Sequence, residues 1–95
     1  MNLYNSYPVL DLHGFDRDYA RIMINDFIFD CYKMKCDRAV IIHGIGTGIL
    51  RKTTQEVLRK NKYIEEAKLD IFNAGQTLVS LKRHWYSWLS WLFVV

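Results

Sequence analysis

The sequence predicts a small α/β domain, a β-α-β-α-β-β sandwich built from two helices and a four-stranded mixed, mainly parallel sheet. Three observations predict it. Val9-Leu10-Asp11-Leu12-His13 alternates with the two-residue period of a strand and Ala39-Val40-Ile41-Ile42 is a continuous apolar run, and the two end in His13-Gly14 and His43-Gly44. Each is followed by a stretch whose apolar residues recur at helical spacing, so strand and helix patterns alternate. Two further β-prone runs then flank a cluster of turn residues.

The elements follow in order. After an entry segment over 1–8, the first strand stops at Gly14. From Asp16 onward Ala20, Met23, Ile24, Phe27, Cys31 and Met34 mark one helical face, with Asp16 or Asp18 placed to cap the first turn and an end expected near Lys35. Ile22, Ile28, Phe29 and Tyr32 make the same helix apolar on other sides, which leaves room for a partner surface. The run Ala39 to Ile42 has the pattern of a strand buried on both faces. Ile49 to Asn61 resumes helical spacing through Leu50, Thr54, Val57 and Leu58 and closes in a basic last turn that suits the helix dipole. Ala67 to Phe72 reads as the third strand, Asn73-Ala74-Gly75-Gln76 as a turn, and Thr77 to Leu81 as the fourth strand. Right-handed helical crossovers lead to the expectation that strands one, two and the last run parallel, with the Ala67 to Phe72 strand antiparallel.

Bulk properties bound the answer. With 95 residues, 51% hydrophobic and 24% charged, the chain suits one domain with one core and is unlike a disordered polymer. The net charge of +3 is modest, but Arg38 to Tyr63 carries six Lys/Arg against one acid, so the positive charge is concentrated in the middle third. Cys31 and Cys36 fit neither a C-x-x-C redox pair nor a zinc pair and read as reduced packing residues. No basic segment followed by an apolar one opens the chain, which makes a cytoplasmic setting the default expectation.

Both strand-end histidines, His13 and His43, fall where open α/β sheets place their ligand sites. Asp11 lies two residues before His13 on the same strand, where a carboxylate needs a hydrogen-bonding task. That task is either to orient a histidine or to hold a neighbouring loop through its backbone N–H groups. Imidazoles with a reference pKa near 6.5 exchange protons at neutral pH, so His43, His13 and Asp11 are the candidate catalytic residues. The segment His43-Gly44-Ile45-Gly46-Thr47-Gly48 joins a strand to a helix, and its glycines allow backbone N–H groups to approach an anion at that helix N-terminus. It is neither a Walker A loop nor G-x-G-x-x-G, because no Lys-Ser/Thr follows and Ile49 stands in place of a third glycine. Arg51 and Lys52 in the first turn oppose the helix dipole unless an anion sits before them, and Arg51, Gln55, Arg59 and Lys62 continue as a polar stripe. Gly44, Gly46, Thr47, Gly48, Arg51, Lys52, Gln55, Arg59 and Lys62 are therefore the candidate phosphate-binding residues.

Leu10-Asp11-Leu12-His13-Gly14, His43-Gly44-Ile45-Gly46-Thr47-Gly48 with Leu50-Arg51, and Gly75-Gln76-Thr77-Leu78-Val79 together resemble the Smr (small MutS-related) domain over about residues 9–82. The resemblance implies a fold like the C-terminal domain of translation initiation factor three. It also implies nucleic-acid binding, with nicking endonuclease activity in several members. The family's two functional motifs fall on Asp11, His13 and Gly14, and on His43, Gly44, Gly46 and Gly48. Its usual double glycine in the last hairpin is here Asn73-Ala74-Gly75. The chain opens on its own Met1 without an ATPase part, as a free-standing member would. The tail 83–95, with Trp85, Trp88 and Trp91, lies outside the likeness and is too short and too interrupted by Ser87 and Ser90 to span a bilayer. It is expected to pack on the domain or form a homo-oligomer contact in preference to touching a membrane.

The leading expectation is an endonuclease in which His43 acts as general base or acid, Asp11 or His13 assists, and the loop amides with Arg51 stabilise the phosphate. Cleavage of RNA through its own 2′-hydroxyl needs no metal, whereas DNA hydrolysis would draw on a divalent metal held by Asp11, His13 and His43. The alternatives are a non-catalytic RNA- or ribosome-binding module and, more weakly, a protein-interaction domain using the aromatic tail. No base-stacking motif stands out, and phosphate contacts carry little base information, so DNA and RNA both remain open.

Overall fold

The computed structural model describes residues 7–82, in the order β1 (Val9–Asp11), α1 (Arg17–Lys33), β2 (Arg38–Ile42), α2 (Ile49–Lys60), β3 (Ile64–Asp70) and β4 (Asn73–Leu81). The expected tail packing and the first residues of the entry segment lie outside the described residues.

Helix α1 starts where Asp16, in extended backbone, accepts a 2.7 Å hydrogen bond from the Tyr19 amide, a cap that contributes about 1 kcal/mol. It ends in a tight reversal, in which the Lys35 amide donates to Tyr32 O (3.1 Å) and the Cys36 amide to Cys31 O (2.9 Å). These two bonds form a Schellman motif, whose left-handed position falls on Lys35 at φ 61°. The buried stripe is Ala20, Ile24, Ile28 and Cys31. Ile28 thus belongs to the core rather than to another side of the helix, while Met34 is exposed and Phe27 only partly buried. Ile22 and Phe29 do face outward, at 59% and 45% exposure. Burial pushes the Cys31 thiol up to about 11, helped by the nearby Cys36 and Asp30, in keeping with a packing role.

The sheet has the order β1-β2-β4-β3. Strands β1 and β2 are parallel, and β4 is antiparallel to both of its neighbours, β2 and β3. The mixed four-stranded sheet and two helices are as the sequence predicts, but the strand that runs against the others is β4, not β3, and only the β1–β2 pairing is parallel. A hairpin fixes only that its two strands oppose each other. Here the α2 crossover brings β3 in along the direction of β2 but one place removed, and β4 folds back into the gap.

The hairpin turn also differs from the expectation. The reversal is Ile71-Phe72, with Asp70 paired to Asn73, and Asn73 to Gln76 belongs to β4. Short polar side chains on either side fix it: Asp70 Oδ1 accepts from the Phe72 amide (2.8 Å) and Asn73 Oδ1 from the Gly75 amide (2.9 Å). The register shifts between Leu69, opposite Thr77, and Asp70, opposite Asn73, so residues 74–76 bulge away from β3.

One hydrophobic core holds Leu12, Ile24, Ile28, Ile41, Leu58 and Val79, each at most 2% exposed, with the helices packed on one face of the sheet. Along β4, Thr77, Val79 and Leu81 point into it while Gln76, Leu78 and Ser80 are half-buried on the other face. Among the described residues no helix is long and apolar enough to cross a membrane.

Replacing Lys35 by glycine is expected to stabilise the domain by about 0.5–1 kcal/mol, the left-handed penalty less the extra chain entropy of glycine. Urea denaturation of the wild type and Lys35→Gly checks this; an unchanged midpoint would show that the lysine's other contacts offset the strain.

Candidate nucleic-acid interface

The carboxyl ends of β1 and β2 lie side by side, with the Leu12 amide donating to Ile42 O (2.8 Å) as the last parallel bond. Beyond it the chain turns at Gly14, and the Phe15 amide returns to Leu12 O (3.0 Å). Asp11 serves this turn: its Oδ1 accepts from the backbone amide of His13 at 2.9 Å. Of its two possible tasks, the carboxylate performs the loop-holding one. The His13 side chain is exposed.

His43 is 6% exposed, and its ring is committed on both sides. Nδ1 lies 2.9 Å from Gly44 O and Nε2 2.9 Å from Thr77 Oγ1. A carbonyl oxygen only accepts, so Nδ1 carries the proton and, in the neutral ring, Nε2 accepts from the Thr77 hydroxyl. Burial lowers the pKa below 6.5; the Gly44 carbonyl opposes this in part, and the Arg51 guanidinium adds to the lowering. His43 is therefore a neutral brace for the loop at neutral pH, with no ring nitrogen directed at solvent. The structure thus places His43, expected to act as general base or acid, with both ring nitrogens engaged within the fold, and the Asp11 carboxylate hydrogen-bonds to neither imidazole. Among the described residues no three His, Cys, Asp or Glu side chains gather as a metal site, so the set Asp11, His13 and His43 is not formed.

The glycine loop begins with the amides of His43 and Gly44, which both donate to Gly75 O at 2.9 Å. Gly44 at φ +78° and Gly48 at φ +82° hold left-handed backbone that other residues adopt only with strain. Gly46 differs. Its backbone is not left-handed, and a Cβ built there would meet nothing within 4 Å, so the fold itself does not require glycine. Gly48 is also the N-cap of α2 and offers no side chain to the first-turn amides, no acidic residue stands in that turn, and the Thr47 hydroxyl reaches the Ile49 amide only at 3.4 Å. The first helical bond, Lys52 N to Gly48 O at 2.9 Å, leaves the preceding amides directed out of the helix end.

Arg51 Nη2 lies 4.0 Å from the position of a Gly48 Cβ, which sets the guanidinium beside this helix end. Arg51, Lys52, Gln55 and Arg59 are all exposed, and none of the three cations has an ion-pair partner among the described residues. Lys62 leaves the stripe: α2 ends at Lys60, and the Lys62 ammonium sits 5.3 Å over the Tyr63 ring. An open groove of about 720 Å³ separates the two loops, lined by Phe15, Asp16, Arg17 and Asp18 on one side and Thr47, Ile49 and Leu50 on the other.

Sequence reasoning missed two groups. Thr77 and the Gly75 carbonyl anchor His43 and its loop, and the inward alternation of Thr77, Val79 and Leu81 was the available signal. Ile71 and Phe72, whose apolar pattern continues the third strand, instead form an exposed tip at 88% and 82%.

These features define a class: a small mixed-sheet α/β domain with an uncapped glycine-loop–helix junction at its strand ends. The chain belongs to the Smr domain family, whose model matches residues 10–82. It is 31% identical over 85 residues to the endonuclease MutS2 of Clostridium beijerinckii, covering 86% of this chain and 11% of that protein. It is 35% identical over 68 residues to that of Caldanaerobacter subterraneus, covering 72% and 9%. The chain thus spans about a tenth of the length of these relatives. Among solved structures, the Smr domain of Thermus thermophilus MutS2 superposes with a TM-score of 0.75 at 26% identity, over 79% of this chain and 98% of that one. YdaL, a stand-alone small MutS-related protein from Escherichia coli, superposes at 0.77 and 21% identity, over 83% and 70%, and shares the fold.

Because the folded state holds His43 neutral, unfolding takes up a proton below the unfolded pKa near 6.5. Stability is therefore fully present above about pH 6.5 and falls as pH drops toward the lowered folded pKa. Denaturation at pH 7.5 and 5.5 with NMR titration of the ring checks this; a His43 midpoint at or above 6.5 contradicts it. Thr77→Val, which removes the hydroxyl from a buried nitrogen, is expected to cost about 1–3 kcal/mol in the same assay.

Proposed function

We propose that this domain binds the phosphodiester backbone of nucleic acid at the glycine loop and cleaves it as an endonuclease. The observation that carries the binding reading is the α2 N-terminus, uncapped, free of acids in its first turn and flanked by the cations Arg51 and Lys52, which have no ion-pair partner among the described residues. Such an end is stabilised by an anion, and Gly44, Gly46, Thr47 and Gly48 leave room for one to approach the backbone amides. The names of the MutS2 relatives support the endonuclease reading.

In this reading the amides of the α2 first turn and Arg51 hold the scissile phosphate and take up the charge that grows on its oxygens. Gln55 and Arg59 follow the strand along α2, and Lys62 contributes from beyond the helix end. His13, the exposed imidazole at the end of β1, accepts the proton of the attacking hydroxyl, from water or a ribose 2′-OH. As the new P–O bond forms, the bond to the leaving oxygen breaks, and the proton passes to that oxygen. Asp11 fixes the His13 backbone, and His43 acts as a positioning residue through the loop. A non-catalytic RNA- or ribosome-binding module is the second reading, favoured by the full engagement of the His43 ring.

Supercoiled DNA and structured RNA, each with and without chelator, test both readings. Arg51→Ala is expected to weaken binding about tenfold and to reduce the salt dependence by roughly one phosphate contact. Gly46→Ala is expected to keep its melting temperature yet bind more weakly, because the added methyl occupies the approach to the amides. Loss of cleavage in His13→Ala with binding retained supports the nuclease. Binding without cleavage in the wild type leaves the module, and binding indifferent to both Arg51→Ala and Gly46→Ala sinks the glycine-loop site.

A further inference from the structure

The β3–β4 turn presents two consecutive large apolar residues, Ile71 and Phe72, at 88% and 82% exposure, where turn chemistry favours small polar residues. Its backbone is not loosely held. Asp70, 4% exposed, accepts from the Phe72 amide through Oδ1 (2.8 Å) and from Gln76 Nε2 through Oδ2 (2.7 Å). A buried carboxylate thus fixes the base of the turn while the Phe72 side chain stands in solvent.

The turn also lies at the same end of the sheet as the glycine loop. Gln76 pairs with Ile42 at the end of β2, and Gly75 O receives the amides of His43 and Gly44. Phe72 stands three residues before Gly75, so at most about 11 Å of chain separates the tip from the start of the loop. Ile45, 70% exposed, adds a third apolar side chain at this end. An amide-lined loop and an exposed aromatic ring at the same end of the sheet offer one contact to each half of a nucleotide, a phosphate and a flat apolar base. Three side chains are far too few for a stable protein interface, which takes about 20–30 residues a side. In a duplex the base faces are covered by their neighbours, so an aromatic tip gains contact only where bases are unpaired.

We propose that Phe72 is a stacking platform for an unpaired nucleobase adjoining the phosphate held at the glycine loop, so that the preferred ligand is single-stranded or locally unpaired nucleic acid. The inference rests on the backbone-binding reading and adds the base to it. Stacking is tolerant of sequence and is shared by DNA and RNA, while the phosphate fixes position.

The test compares the full chain with Phe72→Ala and Phe72→Trp, using labelled single-stranded DNA and RNA and a perfectly paired duplex of equal length. Phe72→Ala is expected to weaken single-strand binding about tenfold and to leave duplex binding and melting temperature unchanged, with Phe72→Trp restoring it. Salt-sensitive wild-type binding that Phe72→Ala leaves unaltered, or weakens equally for duplex and single strand, overturns the stacking platform alone. Absence of any binding by the wild type overturns the backbone-binding reading and this inference with it.

Discussion

The carbonyl of Gly75 receives two amides, those of His43 and Gly44, and the rest of the site depends on that junction. It closes β2 onto β4 at the point where β2 ends, and it starts the left-handed turn at Gly44. The His43 ring then spans the same gap, from the Gly44 carbonyl to the Thr77 hydroxyl. A Cβ on Gly75 would stand 3.2 Å from Asn73 Oδ1, which would have to give by a few tenths of an ångström, and at ordinary contact distance, 3.6 Å, from the Gly44 backbone. The loop is thus shaped by the far end of the chain, which neither supplies a ligand-facing group of its own at Thr77 nor lies near the loop in sequence.

Electrostatics make the same junction directional. A neutral His43 beneath the loop adds no positive charge of its own, and Arg51 beside the helix end reinforces that neutrality. In the proposed binding mode the attraction for an anion comes from fixed amides and from the Arg51 guanidinium, not from the His43 imidazole. The ring that shapes the loop is thereby distinct from the exposed imidazole of His13.

How far the sequence discloses this structure varies by element. β1, β2 and α2 are legible because their apolar periods are set by burial on known faces, and Asp16 marks the start of α1 through cap chemistry. The loop from Gly44 to Gly48 is legible because strand, glycines and helix are contiguous. The direction of β4 is not, since a hairpin signal is symmetric to exchange of its two strands. The reversal at Ile71-Phe72 defeats composition, because its turn is made by Asp70 and Asn73 on either side and the apolar residues between them read as strand. The state of His43 is equally hidden: strand-end position places the residue, but only the fold brings Thr77, 34 positions away, to its ring.

The last described strand in the chain is also central in the sheet, flanked by β2 and β3. Until β4 is present, β3 has no neighbour to bond to, and β2 has only the three-residue β1. A chain that lacks residues 73–81 can therefore form only the β1–β2 part of this sheet, and the four-stranded sheet closes only when β4 is added. The glycine loop acquires its shape in that same step, so an incomplete chain carries the motif residues of the cradle without the cradle.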